Sequence, residues 1–324
     1  FNHSTRRDEM TKIVSKYFDK FFDCSNLSDK EIADLSKKNN VDIAIDLTGH
    51  TTDSRNGIYQ YEPATITINY LGYPGTMGSN CYDFIIADKI ILPKKEKKNF
   101  VENIVYLPNC YQPKQRKIMM GGKNFSKKDV GLPENSFVFA SLNNNFKITP
   151  TIFEAWMEIL KKTENSVLWL LIDNVIAKKN IKKETANHGV SIDRIIFASR
   201  VSYKKHLKRL KFIDLFLDTF PYGAHTTAKE AMSMGIPLIT IKGKSFASRV
   251  ASSILSDIGL EKLITKNNEE YINFAVKLRK DKDKLSKIKE FLNKSETINK
   301  LHNSQKFTED LEKIYTKMLK PVYS

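Results

Sequence analysis

The chain has 324 residues, 41% hydrophobic and 28% charged, which suits about two globular domains and excludes wholesale disorder, collagen and low-complexity arrays. Lys plus Arg number 53 against 37 Asp plus Glu, a net charge of +16. That excess points to a polyanionic partner (nucleic acid, a membrane surface or a phosphorylated ligand) or, equally, to a compositional bias toward Lys, Asn and Ile.

In chain order, a polar helix is expected over 29–38, opened by Ser28 and Glu31 in the S-x-x-E spacing of a capping box. Strands are expected at 41–47 (VDIAIDL), 64–70 (ATITINY), 84–87 (FIIA) and 103–107 (NIVYL). The KKEKK run at 94–98 reads as a solvated loop. Residues 109–128 turn polar, with a Pro, two adjacent Gly and many Lys, and read as a linker. Strands then recur at 136–142, 166–172, 194–197, 215–218 and 237–241. Between them lie helical patterns at 151–161, 177–188, 203–211, 227–234 and 246–258. Residues 268–294 read as two surface helices and 305–318 as another. Near-continuous apolar strands separated by short helices imply parallel sheets, with ligands beyond the carboxyl ends of the strands.

No run approaches the roughly 18 apolar residues of a membrane helix, so no membrane insertion is expected. Three widely spaced cysteines, Cys24, Cys81 and Cys110, argue against a disulfide scaffold or a zinc site. They fit a reducing cytoplasm. The chain opens on Phe1 with no signal segment, and reads as a fragment or trimmed product.

Five post-strand segments contain candidate chemistry. In LFLDTFPYGAHTTAKE (215–230) a loop runs into a helix at His225, Thr226 and Thr227, where free N–H groups and the helix dipole suit an anion. The same residues fit a capping box, since Glu230 follows Thr227 by three. In SLNNNFKITP (141–150) Lys147 could neutralise a diphosphate or be one more solvated lysine, and Pro150 suits a helix start. His206 and Arg209, three apart, share a helix face. YLGYPGTMG (70–78) reads as a tight loop that either offers N–H groups to a ligand or simply turns. His50, in LTGHTTDSRN (47–56), is a lone loop histidine.

Taken together, these segments resemble the catalytic region of the O-linked N-acetylglucosamine transferases, a family that includes the plant SPINDLY proteins. The matching stretches include DLTGHTTDSRN, ITINYLGYPGTMGSNCYDFIIAD, FASLNNNFKITPTIFEAWMEIL and FLDTFPYGAHTTAKEAMSMGIPLIT, and the likeness runs from about residue 20 to about residue 320. LNNNFKI and PYGAHTT look like bacterial members. The resemblance implies an α/β GT-B fold, two Rossmann-like domains facing across a cleft, the first incomplete. It divides the chain into an acceptor-side domain (1–108), the linker (109–128), a UDP-sugar domain (129–304) and a C-terminal helix (305–324) packing back on the first.

It also implies inverting transfer of a sugar from a UDP donor to Ser or Thr of a protein, with no metal and no cofactor. Lys147 would stabilise the leaving diphosphate. His225, Thr226 and Thr227 would bind diphosphate and nucleotide, and His206 and Arg209 would line the uridine pocket. Asn144 stands where animal members carry Gln, and Tyr203 where they carry Lys. Glu230 replaces an Asp that holds the ribose hydroxyls. Gly72, Tyr73, Pro74, Gly75 and Thr76, with His50, would lie on the sugar and acceptor side. By the same resemblance, the family's candidate base, on a His-Pro-like motif, would be expected upstream of this chain. The implied partners are a UDP-sugar and an acceptor protein or peptide. Three alternatives stay open: a donor-binding module without catalysis, a transferase using glucose or fucose, and a nucleic-acid binder. The last is disfavoured by scattered lysines and by the lack of a recognition signature.

Overall fold

The computed structural model describes residues 1–5, 8–114 and 126–323, the side chains of 321–323 excepted. The chain forms two compact units, Phe1–Tyr111 with Thr308–Ser324, and Gln112–Phe307. Most of the expected linker, 115–125, lies outside the described residues.

The first unit begins with helices α1 (Glu9–Val14) and α2 (Asp29–Lys38). The capping box forms: the Ser28 hydroxyl accepts from the Glu31 N–H at 3.2 Å, and the Glu31 carboxylate accepts from the Ser28 N–H at 2.7 Å. Four parallel strands follow in sheet order, β1 (Ile43–Asp46), β2 (Ile66–Asn69), β3 (Phe84–Ala87) and β4 (Asn103–Tyr106). All four residues of β2 are buried. The crossovers between these strands contain loops and 3₁₀ turns, and KKEKK lies in one of those turns.

The second unit has six parallel strands: β5 (Phe137–Ser141), β6 (Ser166–Leu171), β7 (Ile195–Ala198), β8 (Leu215–Leu217), β9 (Leu238–Ile241) and β10 (Ile264–Thr265). Their helices are α3 (Pro150–Lys161), α4 (Val175–Asn187), α5 (Tyr203–Leu210), α6 (Thr226–Ser233), α7 (Val250–Asp257), α8 (Asn268–Lys280), α9 (Lys282–Leu292) and α10 (Ser295–His302), and a last helix, α11 (Ser304–Tyr323), belongs from Thr308 onward to the first unit. Helix α3 starts as expected, with Pro150 in its first turn and the Thr149 hydroxyl accepting from the Ile152 N–H. Helix α7 begins later than its apolar pattern. Residues 245–248 turn instead, because the Ser248 hydroxyl donates to the Ser245 carbonyl at 2.8 Å and competes with helix formation.

The sheet order is β10-β9-β8-β5-β6-β7. The chain builds outward from β5 to β7, then returns to β8 and builds the other way. Neighbours β5 and β8 therefore flank a topological switch point, where crossovers diverge and leave a crevice. Trp156, Trp169, Phe139, Phe216 and Tyr271 fill the core beneath it. The Tyr271 hydroxyl accepts from the Trp156 indole N–H and donates to the Asp218 carbonyl at 2.9 Å. Among the described residues no helix is long and apolar enough to cross a membrane.

Candidate functional site

A pocket of about 520 Å³ opens at this switch point. The β5–α3 loop supplies Asn143, Asn144 and Lys147. Helix α5 and the loop before it supply Arg200, Tyr203, His206 and Arg209. The β8–α6 loop supplies Tyr222, His225, Thr226 and Thr227. Three segments read separately from the sequence thus meet at one cavity.

Lys147 donates to the Gly223 carbonyl at 2.8 Å, and its ammonium stands 4.0 Å from the Tyr222 ring centroid. Burial lowers its pKa to about 8, against the opposing pull of the Asp218 charge. The group is still mostly protonated at neutral pH, and a bound anion would favour the charged form further. Helix α6 starts at Thr226, with His225 as N-cap and no side-chain cap bond. The capping-box alternative does not form, because the Thr227 hydroxyl donates instead to the Asn143 side-chain oxygen. The first amides of α6 therefore lack a side-chain cap, and Thr226 and Thr227 line the pocket, a setting in which a helix start can bind an anion.

Burial, and secondarily the Lys147 charge, hold the His225 pKa down to about 3, so its ring is neutral. His225 Nε2 faces the Ala247 carbonyl at 3.3 Å. Because that oxygen only accepts, Nε2 carries the proton. Arg209 is buried, donates to the Ser199 carbonyl at 2.6 Å, and lies 3.0 Å from His206 Nδ1. Asn144 accepts from Arg200 at 3.4 Å. Glu230 does not line the pocket. It is buried one turn into α6, its carboxylate 3.6 Å from His206 Nε2.

In the first unit, the loops after β1 and β2 interlock. A Cβ at Gly72 would meet the Leu47 carbonyl at 2.0 Å, so only glycine allows that approach. The amides of Gly72 and Gly75 bond to the carbonyls of Tyr70 and Tyr73, bracketing Pro74. Buried Glu102 accepts from the Thr76 hydroxyl at 2.5 Å and from the Met77 N–H at 2.6 Å. His50 uses both ring nitrogens, toward the Met77 carbonyl at 3.0 Å and the Asn56 amide at 3.1 Å, and packs edge-on against Tyr73. These hydrogen bonds make the loop a braced turn.

Sequence reading did not single out Asn143, Arg200, Phe146, Tyr222 or Asp218. Asp218 left one local signal: it is the charge that ends the buried run LFLD. Among the described residues no group of three or more His, Cys, Asp or Glu is placed to hold a metal ion.

Residues 3–124 and 112–311 match glycosyl transferase family 41. The chain is 33% identical over 304 residues to a probable UDP-N-acetylglucosamine–peptide N-acetylglucosaminyltransferase, SEC, of Arabidopsis thaliana, covering 92% of this chain and 31% of the relative. It is 31% identical over 300 residues to the SPINDLY protein of Eustoma exaltatum, covering 91% of this chain and 32% of that protein. The structure superposes on a mutant O-GlcNAc transferase of Thermobaculum terrenum with a TM-score of 0.90 at 26% identity, covering 98% of this chain and 60% of that one. This likeness identifies the fold as GT-B. The chain spans about a third of the length of the curated relatives it matches. With the family match extending over nearly all of both units, the chain belongs to glycosyl transferase family 41.

Proposed function

We propose that the β5/β8 pocket holds a UDP-sugar and that the protein transfers the sugar, N-acetylglucosamine, to Ser or Thr of an acceptor protein, with inversion and without a metal ion. The observation that carries this reading is the pairing of Lys147 with the uncapped start of α6 at the switch point. The curated relatives, named as UDP-N-acetylglucosamine–peptide transferases, supply the donor and acceptor classes.

In the reaction the acceptor oxygen forms a bond to the anomeric carbon while the bond to the diphosphate breaks. The acceptor proton leaves to a base, and negative charge grows on the departing phosphate oxygen. Lys147 and the α6 amides meet that charge with preorganised donors, which is where transition-state stabilisation is largest. Neutral His225 contributes a hydrogen-bonding ring without an added charge. Arg209 and His206 bind the uracil end. The three cysteines are free, in keeping with a proposed cytoplasmic setting. Nucleic acid has no part in this reading.

A thermal-shift titration tests it. UDP at about a hundred times its Kd should stabilise the fold by about 2.7 kcal/mol, several degrees in melting temperature. A melting curve indifferent to UDP, even at millimolar concentration, would sink the proposal.

A further inference from the structure

The Gly223–Ala224 peptide is gripped from both ends. Its carbonyl accepts from the Lys147 ammonium at 2.8 Å, and its N–H donates to Asp218 at 2.6 Å. Asp218 is almost fully buried and also accepts from the Thr219 N–H at 2.7 Å and the Thr240 hydroxyl at 2.7 Å. The Asn143 amide lies 3.4 Å from it, and the Asn143 oxygen accepts from Thr227 in the first turn of α6. A Cβ at Gly223 would come within 3.1 Å of the Asp218 carboxylate, so the loop is drawn tightly against this group. One carboxylate thus anchors both elements that face the pocket, the lysine through a peptide plane and the helix start through Asn143.

We propose that Asp218 is a positioning residue of the diphosphate site, its buried charge holding the 223–224 peptide so that Lys147 and the first turn of α6 face the ligand. The inference rests on the donor-site reading above. A buried aspartate that only closed a turn would need the hydrogen bonds but not the charge opposite the lysine. The charge matters because a peptide aligned between a cation and an anion is polarised in the sense that strengthens both bonds. Burial raises the Asp218 pKa to about 6, against the bonds from Thr240, Ala224 and Thr219 and the Lys147 charge. The carboxylate is therefore mostly ionised at neutral pH. The other titratable groups lining the pocket are Tyr222 and His225 from the same loop, and Arg200, Tyr203, His206 and Arg209 from across it.

The test is calorimetric binding of UDP to the full chain and to Asp218→Asn, from about pH 6 to about pH 9. Asn keeps the shape and can still accept from both amides. The variant should bind UDP about tenfold more weakly at neutral pH. Its alkaline loss of affinity should start about one unit lower, since Lys147 no longer has the anion that keeps it protonated. A turn-closing role would lower the melting temperature and leave the alkaline limb in place. Binding like the wild type at every pH overturns the inference. A wild-type chain that ignores UDP overturns the donor reading itself, and the inference falls with it.

Should Asp218→Asn fail to fold, Thr240→Val serves in its place. Losing that hydroxyl raises the Asp218 pKa, so the acid-side loss of UDP affinity should move to higher pH. Comparison with wild type cancels the ligand's own ionisation, and an unmoved acid limb overturns the proposal.

Discussion

The two units place loops at the same structural position, the carboxyl ends of parallel strands, and use them in opposite ways. In the first unit the strands run in simple order, β1 to β4. Their loops turn inward: Asp46 accepts from the amides of Thr48 and Gly49 and from the Tyr82 hydroxyl, and Glu102 braces Thr76 and Met77. In the second unit the order reverses between β5 and β8. There the buried acid, Asp218, holds the loop through the Ala224 N–H, and Lys147, Thr226 and Thr227 line the pocket. A carboxylate beneath a strand-end loop is common to both. What separates the two is the switch point, which opens a pocket lined by Lys147 and the start of α6.

The sharpest way to break this contrast is to remove a donor on one side and a brace on the other. Lys147→Met should lower sugar transfer by at least about 100-fold, the scale of losing one preorganised donor to a developing charge. Its melting temperature should hold, because the substitution removes a cation that burial disfavours. Initial rates and a melting curve on one preparation decide the matter, and near-wild-type turnover would show that Lys147 is not the diphosphate group.

The mirror-image change, Glu102→Gln, should act on stability and not on the ligand. It weakens charge-assisted bonds from Thr76 and Met77 and should cost about 2 kcal/mol. Denaturant unfolding measures the loss and calorimetry the UDP affinity, which should be unchanged. A parallel fall in affinity would mean that the first unit's loop does more than brace.

The contrast also explains what could be read from the sequence. Strands of the second unit were legible because burial on both faces demands continuous apolar runs such as SVLWLL and PLITI. Local chemistry marked the Ser28–Glu31 cap and the Pro150 helix start. Two-residue β10 was too short to signal, and the late start of α7 depended on serine hydroxyls in a turn. Lys147 was visible only as one of many lysines until the family likeness selected it. The bracing of the Gly72–Thr76 loop was hidden because its partner, Glu102, is distant in sequence and carries no motif. Long-range polar pairs of this kind leave no periodicity, so neither the inward turn of Glu230 toward His206 nor the hold of Asp218 on Lys147 could be derived beforehand.

The smallest effect expected is also the one that separates hydroxyl from backbone at the helix start. Thr226 is exposed on the pocket wall, whereas the Thr227 hydroxyl is held by Asn143. If the α6 amides do most of the anion binding, Thr226→Ala removes at most one neutral hydrogen bond. UDP should then bind about fivefold more weakly, with the fold intact because alanine suits a helix's first turn. Thr227→Ala should weaken binding more than Thr226→Ala, since it frees the Asn143 oxygen and loosens the tie between the β5 and β8 loops. Should the order be reversed, with Thr226 the costlier loss, the side-chain hydroxyl and not the uncapped backbone would be the principal phosphate donor, and the contrast between the two units would rest on Lys147 alone.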